Sequence, residues 1–393
     1  MRNRIIELEK SQRDLGAFIG LLRRCGDGGA PQVISSIRNM QGSSDPHLIV
    51  DHVVRDVILQ EETQLSQPLF GDATSPMSHY GTTSRLPWKT DEESLPTSSA
   101  PEVSDWTTVT SDNDFVTDLL DVYFTWSHPF YLLFSEETFY HGMHNRKLKY
   151  CTPLLMNVVL AIGCVYSDRF EARKSEDDPT TAGDHFFDEA KLLLANEQGV
   201  SLPTIQALGL MSVREAMRNE STRSRVYISH MIEGIKTLQL HVLPPPDSPS
   251  TISEAEVQAR TITLWGCYCL ETSSALSNRR ITALSGSTIE LPKPLILPEL
   301  ENTPWKPYGT LHYDGGDSEM AQTSNKYTIL LQSSLLAGIV DEITTLLFSS
   351  DDRIEDEQLN LRHERLQKWF QDLPAELDVQ NHHIPLPQVI ALQ

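Results

Sequence analysis

The sequence is short of the residues that metal clusters and disulfide scaffolds require. Its 393 residues hold five cysteines: Cys25, Cys151, Cys164, Cys267 and Cys269. No CxxC pair occurs among them, and a structural zinc site needs paired thiolates that converge tetrahedrally. An odd, scattered set within apolar segments reads as reduced thiols of a cytosolic or nuclear protein. Basic residues are scarce too. There are 32 Lys and Arg against 54 Asp and Glu, a net charge of −22, which argues against the chain as a whole wrapping nucleic acid. The start, MRNRIIELEK, is charged and lacks the apolar core of a signal peptide. No unbroken apolar run reaches the roughly 20 residues of a membrane span. Period-two alternation of the strand type is missing. So are the GxSxG, HExxH, P-loop and dinucleotide fingerprints.

The charge that is present is uneven. Residues 1–41 carry seven Lys and Arg against four acids, or +3, which leaves −25 for the remainder. A mildly basic start on an acidic body fits either a solvated helix surface or the downstream edge of a DNA-contacting module. Within that start, Leu8, Leu15 and Leu22 recur every seven residues, with Ile5, Gln12 and Ile19 three residues ahead of them. Those are the d and a seams of a short parallel coiled coil, with Gln12 as a register-setting polar a residue. Gly16 weakens its middle by about 1 kcal/mol relative to alanine, and an ordinary amphipathic helix is the alternative. Short helical pieces follow at 33–38 and 47–62, the second with Val50, Val53, Val54, Val57 and Ile58 on one face. From Thr63 to Ser111 the chain turns to Ser, Thr, Pro, Gly and acids. Such a composition buries too little apolar surface to offset its ordering entropy and predicts a disordered linker.

The largest apolar surface lies between Asp114 and Phe170. Phe115, Leu119, Val122, Tyr123 and Trp126 recur at helical steps and line one face. Ser111 or Asp112 is placed to cap that helix, and Pro129 ends it. Thr152 followed by Pro153 opens a second helix, apolar on nearly every face from Leu154 to Tyr166 except at Asn157, and so destined for mid-core. Further helices are predicted from Ser135, over 182–197, from Ser201 to Met217, from Arg225 to Leu240, from a Ser253–Glu256 capping box to about Ser274, from Tyr327 to Phe348 and over 355–372. Residues 277–310, rich in Pro and Gly, read as an irregular crossing, and Pro244 to Pro246 as an exposed turn. The fold class is all-α, a multi-helix array of antiparallel helical hairpins without a fixed repeat period. Trp126, Phe130, Leu154, Leu155, Val159, Phe187, Leu208 and Trp265 are expected in one core.

Five blocks in order carry a resemblance. They are Tyr123, Phe124, Trp126, His128, Pro129 and Phe130; Tyr150, Cys151, Pro153, Leu154, Leu155 and Asn157, then Ala161 to Gly163 and Ser167, Asp168 and Arg169; Ala182 to Phe187 with Glu189 and Ala190; Thr204 to Leu208; and Leu264 to Tyr268 with Trp265. The chain from about residue 105 to 393 resembles the fungal-specific transcription factor domain, the regulatory region downstream of the zinc-cluster DNA-binding module in many fungal activators. Within that family it looks most like regulators of the nitrate-assimilation and xylanolytic-activator type. The resemblance implies a nuclear transcription regulator of RNA polymerase II genes, without catalysis. It implies homo- or heterodimerisation through Ile5, Leu8, Gln12, Leu15, Ile19 and Leu22, contact with regulators or the transcription machinery, and no membrane. Family members carry zinc in a separate cluster of six closely spaced cysteines. The five cysteines here do not form one, so no cofactor is expected in this chain and DNA contact only through a module outside it. The helix start at Leu386 to Gln393 and the missing cluster make the chain look cut at both ends.

The resulting expectation is a coiled-coil segment at 1–25, a largely disordered linker at 26–111 and a regulatory domain at 112–393. The alternatives are a non-catalytic helical scaffold or interaction protein and, last, an enzyme. Candidate chemistry is thin. His141 and His144 are spaced to chelate a metal but have no evident third ligand. His128 reads as a hydrogen-bonded core histidine. Cys267 and Cys269 point apart on a helix. Asp168 and Arg169 suggest a helix-end ion pair, and Arg214 with Glu215 suggests polar packing.

Overall fold

The computed structural model describes residues 103–242, 253–296, 301, 304–305, 322–349, 356–379 and 386–393. The heptad at 5–22, the pieces at 33–38 and 47–62, the linker up to residue 102 and the Pro244–Pro246 turn lie outside the described residues. Those described form ten α-helices and, among them, one antiparallel pair of two-residue strands: β1 (Pro304–Trp305) and β2 (Gln322–Thr323). The fold is all-α.

Local sequence signals start the helices. In α1 (Asn113–Trp126) the Asp112 Oδ1 accepts from the amides of Asp114 and Phe115, each at 3.0 Å. Ser135 caps α2 (Glu136–His144). Thr152 caps α3 (Pro153–Gly163), whose residues from Leu154 to Gly163 are all buried. A hydroxyl or carboxylate oxygen at these positions satisfies amides that the helix itself cannot. Gly183 opens α4 (Asp184–Ala195) from a left-handed φ of 72°, against the Ala161 carbonyl of α3. Ser201 and Thr204 exchange hydrogen bonds in a capping box ahead of α5 (Leu202–Met217). The helix α6 (Ser221–Thr237) begins four residues before the apolar pattern suggested. Ser253 caps α7 (Glu254–Ser277), but the box is not reciprocal, because the Glu256 carboxylate pairs with Lys149 at 2.6 Å instead. The last three helices are α8 (Lys326–Phe348), α9 (Asp356–Gln371) and α10 (Pro387–Leu392).

Helix ends were harder to foresee. After α2, α5, α6 and α7 the chain turns through left-handed residues Arg146, Asn219, Gln239 and Arg279. Each is followed by an amide reaching back five residues: Lys147 to Gly142, Glu220 to Glu215, Leu240 to Ile235 and Arg280 to Ala275, at 2.9–3.0 Å. These are Schellman closures without the usual glycine. Asn219 in this role makes α5 and α6 an antiparallel hairpin with a three-residue turn.

The packing is centred on α3, which contacts α1, α4 and α5. Beyond it α5 meets α6 and α7, α7 meets α8, and α8 carries α9 and α10. Gly163 permits the closest approach, since a Cβ there would lie 2.5 Å from the Leu119 carbonyl oxygen of α1. One large core runs from Trp106 to Ala337. A small second core gathers Trp305, Ile329, Leu377, Leu386 and Val389.

Three expectations need correction. Residues 103–111 were assigned to the linker, yet Trp106 and Thr107 are buried in the main core. The composition average hid one tryptophan with a specific partner, Asn157. That side chain, fully buried, accepts from Thr107 Oγ1 at 2.8 Å and donates to the carbonyls of Trp106 at 2.9 Å and Pro153 at 2.8 Å. The single polar residue of α3 is thus the clasp for the segment before α1. Second, the second helix ends at Gly163, and Val165 and Tyr166 beyond it are exposed. Third, α8 is long and apolar enough to cross a membrane by length and composition. Ser, Thr, Gln and Gly interrupt its apolar run, which is why the sequence showed none of that length. Here it packs between α7 and α9 and buries Ser334, Asp341 and Thr344.

Candidate functional site

The turn after α1 builds the first cluster. The Phe130 amide donates to Ser127 O at 3.1 Å and the Tyr131 amide to His128 O at 3.2 Å, so the chain reverses at Pro129. Reversal sends His128 inward. Its imidazole is fully buried, 4.9 Å from the rings of both Phe124 and Phe134, with Nδ1 3.5 Å from the Tyr123 hydroxyl. Tyr123 stacks on Phe134 at 6.2 Å. The same reversal sends Phe130 outward, where it is 42% exposed. Its ring borders an apolar groove of about 390 Å³ with Pro129, Leu270, Leu276, Ile329 and Leu336. Trp126 also leaves the main core. It meets Trp305 edge-on at 5.6 Å in the second core, and Trp305 Nε1 donates to the Thr125 carbonyl at 3.0 Å. The single core expected for these two residues is therefore wrong, while Leu154, Leu155, Val159, Phe187, Leu208 and Trp265 share the main one.

A polar network ties this turn to α8. The Lys326 ammonium, almost fully buried, pairs with Glu136 at 2.6 Å. The Tyr327 hydroxyl donates to Glu137 at 3.2 Å, which also accepts from Ser135 at 2.5 Å. Glu301 accepts from the amides of Tyr327 and Thr328, both at 3.1 Å, and so caps α8 through a distant carboxylate.

His128 follows from this setting. Burial first, and the nearby Lys326 charge second, push its imidazole well below the usual 6.5. The folded protein keeps the ring neutral where the unfolded chain takes up a proton. The stability linked to it is complete above the unfolded value and is lost as the pH falls below that value towards the depressed folded one. The expected slope is up to about 1.4 kcal/mol per pH unit for one such group. Urea melts between pH 7 and 5 on the wild type and His128→Gln should show a flatter slope in the variant. Equal slopes would mean that His128 does not supply it.

Arg214 and Asp184 form the second cluster. The Arg214 side chain is 2% exposed and lies over Phe187 at 4.1 Å. It pairs with the Asp184 carboxylate, which Arg218 also reaches, and donates to the Ala182 carbonyl at 3.4 Å. Neighbouring Glu215 is buried, and burial raises its carboxyl above the usual range. Arg169 does not pair with Asp168, which is exposed. It reaches back to Asp118 at 2.5 Å and lies over the Phe115 ring at 4.9 Å, binding the 167–169 turn to α1.

The remaining candidates are dispersed. The His144 ring contacts the Tyr140 carbonyl at 2.8 Å and His141 lies against Asn145, both closing the end of α2. Cys267 is fully buried and Cys269 half-buried. Burial pushes both thiols up, Cys269 to about 12. Among the described residues no three His, Cys, Asp or Glu side chains are grouped to hold a metal. Trp265 is buried, with Nε1 donating to the Pro292 carbonyl at 2.8 Å and the Lys293 ammonium 3.9 Å above its ring. Beside it the Asp341 carboxylate accepts from the Gly286 amide at 2.9 Å, from the hydroxyls of Tyr268 and Ser285 at 3.3 Å each, and from Thr282. Sequence reasoning missed Asp341, Lys293, Glu301 and Lys326, since their partners lie dozens to nearly two hundred positions away.

The family model for the fungal-specific transcription factor domain matches residues 120–378. The chain is 35% identical over 295 residues to the nitrogen assimilation transcription factor nirA of Emericella nidulans, covering 72% of this chain and 32% of that protein. It is 30% identical over 311 residues to the nitrogen assimilation transcription factor nit-4 of Neurospora crassa, covering 75% and 28%. A 178-residue stretch is 28% identical to the notoamide biosynthesis transcriptional activator notL' of Aspergillus versicolor, covering 44% and 28%. The chain thus spans about a third of the length of the curated relatives it matches. No solved structure matches it.

Proposed function

The chain belongs to the fungal-specific transcription factor domain family, and on that premise we propose that it is the regulatory part of a nuclear transcription regulator. The observation that carries this reading is the family match over residues 120–378, which coincides with the helical array built on α3. The two nitrogen-assimilation relatives favour genes of nitrogen assimilation as its targets over those of notoamide biosynthesis, since each covers more than 70% of the chain. The role is binding and regulation without catalysis. It works through contacts with regulators or the transcription machinery, and the signature residues Tyr123, Trp126, His128, Pro129, Phe130, Pro153, Leu154, Leu155, Asn157, Asp168, Arg169, Phe187 and Trp265 build the framework that presents them. A net charge of −22 repels the phosphate backbone, which disfavours DNA binding by this chain alone. Burial of Trp106 and Thr107 supports counting the segment before α1 with the proposed regulatory domain.

The test joins the whole chain to an unrelated DNA-binding domain in a fungal cell carrying the matching reporter, grown on different nitrogen sources. Reporter output that departs from that of the DNA-binding domain alone, and that shifts with the nitrogen source, supports the reading. Output identical to the control on every source, with the chain folded and nuclear, would sink it. Dimerisation through Ile5, Leu8, Gln12, Leu15, Ile19 and Leu22 belongs to the same proposal. Three heptads are a short seam, so sedimentation should show weak self-association that Leu8→Asp with Leu15→Asp abolishes. A single monomeric mass before and after the change would remove it.

A further inference from the structure

The helices α7, α8 and α9 enclose an open cleft of about 620 Å³, within the size range of small-molecule sites. Trp265 and Tyr268, both buried, lie beneath its floor, Leu335 and Leu346 of α8 supply its accessible apolar surface, the turn from Ser285 to Ser287 forms one border, and α9 contributes Arg362 and Arg365. Its acids are already committed. Asp341 is 7% exposed and accepts from Tyr268, Thr282, Ser285 and the Gly286 amide. Glu342 is paired with Arg365.

Two cations remain without a carboxylate among the described residues. Lys293 sits over the Trp265 ring at 3.9 Å and donates to the Ser334 carbonyl at 3.4 Å. Arg362 donates through Nη1 to the Gln358 carbonyl of its own helix at 3.3 Å, and its buried Nε has no partner. Burial lowers the Lys293 ammonium from its usual value, and the neighbouring Cys269 thiol, itself pushed up by burial, opposes this only in part. Half-buried positive charge lining an open cleft is stabilised by a ligand that brings the missing anion.

We propose that this cleft binds a small organic acid, with its carboxylate between Lys293 and Arg362 and its body against Leu335 and Leu346 of α8. The planar guanidinium suits a carboxylate, which it can hold through two parallel hydrogen bonds. The leucine side chains suit an aliphatic or flat body, and the Ser287 hydroxyl on the cleft border suits its polar edge. The binding itself is independent of the regulatory reading, because it is measured on the purified chain.

The experiment titrates the full chain with sodium acetate, sodium benzoate and disodium 2-oxoglutarate, and with sodium nitrate as the bare oxyanion. Ionic strength is matched with sodium chloride, and thermal unfolding and calorimetry are followed. At least one of the organic acids should saturate, raising Tm by about 5 °C at a hundredfold excess over Kd. Lys293→Gln and Arg362→Gln should each weaken that binding at least about tenfold, the loss of one charge-assisted hydrogen bond, and Lys191→Gln, on the exposed face of α4, should leave it unchanged. Using both variants guards against one that unfolds. No saturation with any of the three organic acids, or binding by both variants equal to wild type, would overturn the site. Saturation by nitrate at least as tight as by the organic acids would overturn the organic-acid assignment.

Discussion

Asp184→Ala is expected to destabilise the domain by about 3–5 kcal/mol, the cost of removing one partner from a buried ion pair. The reason is Arg214. Its side chain is 2% exposed, and its charge is met by the Asp184 carboxylate, one carbonyl and the face of Phe187. Its Nε is buried without a partner even in the intact protein, so little is left to compensate when the carboxylate goes. Arg218 shares Asp184 but is 40% exposed and can turn to water. The substitution also removes the acid from the first turn of α4, a smaller loss. Adding Arg214→Met should restore most of the stability, because the thioether chain fills similar space on Phe187 and carries no charge. Urea unfolding followed by circular dichroism decides it. A single variant as stable as wild type, or a double variant no better than the single, would show that Asp184 does not neutralise Arg214.

Leu155→Ala should cost about 2–5 kcal/mol, as large-to-small changes in a rigid core do. Leu155 is completely buried in α3, the helix on which α1, α4 and α5 all converge. Neighbours on three sides are themselves helices held at both ends, so the space cannot collapse and a cavity remains. Leu192→Ala, at a leucine 63% exposed on α4, should stay within about 0.5 kcal/mol. Equal midpoints for wild type and Leu155→Ala would contradict the burial on which the whole packing scheme depends.

What was legible in the sequence was local. Asp112, Ser135, Thr152, Ser201 and Ser253 all cap the helices they were expected to open, because a cap acts within three residues of itself. The apolar run of α3 could only be a central helix. Helix ends were less legible, since Arg146, Asn219, Gln239 and Arg279 close theirs without glycine, held left-handed by the amide that reaches back five residues to the end of the helix. Trp126 and Phe130 show the limit of periodicity. It tells which face of a helix is apolar, not whether a neighbour arrives to cover it.

The sequence by itself determined the all-helical class, the place of most helix starts, the family resemblance and the polar outlier Asn157 in an apolar helix. Each follows from interactions spanning one or two turns of chain. Only the tertiary structure decided that Asn157 holds Trp106 and Thr107, that Arg169 answers Asp118 and not Asp168, and that Phe130 faces a groove. It alone placed Lys293 and Arg362 around one cleft with its acids already engaged. These pairings join positions nine turns of helix or more apart in sequence. The free energy that selects them comes from burying a charge or an amide beside one specific partner, and no local pattern records which partner that is.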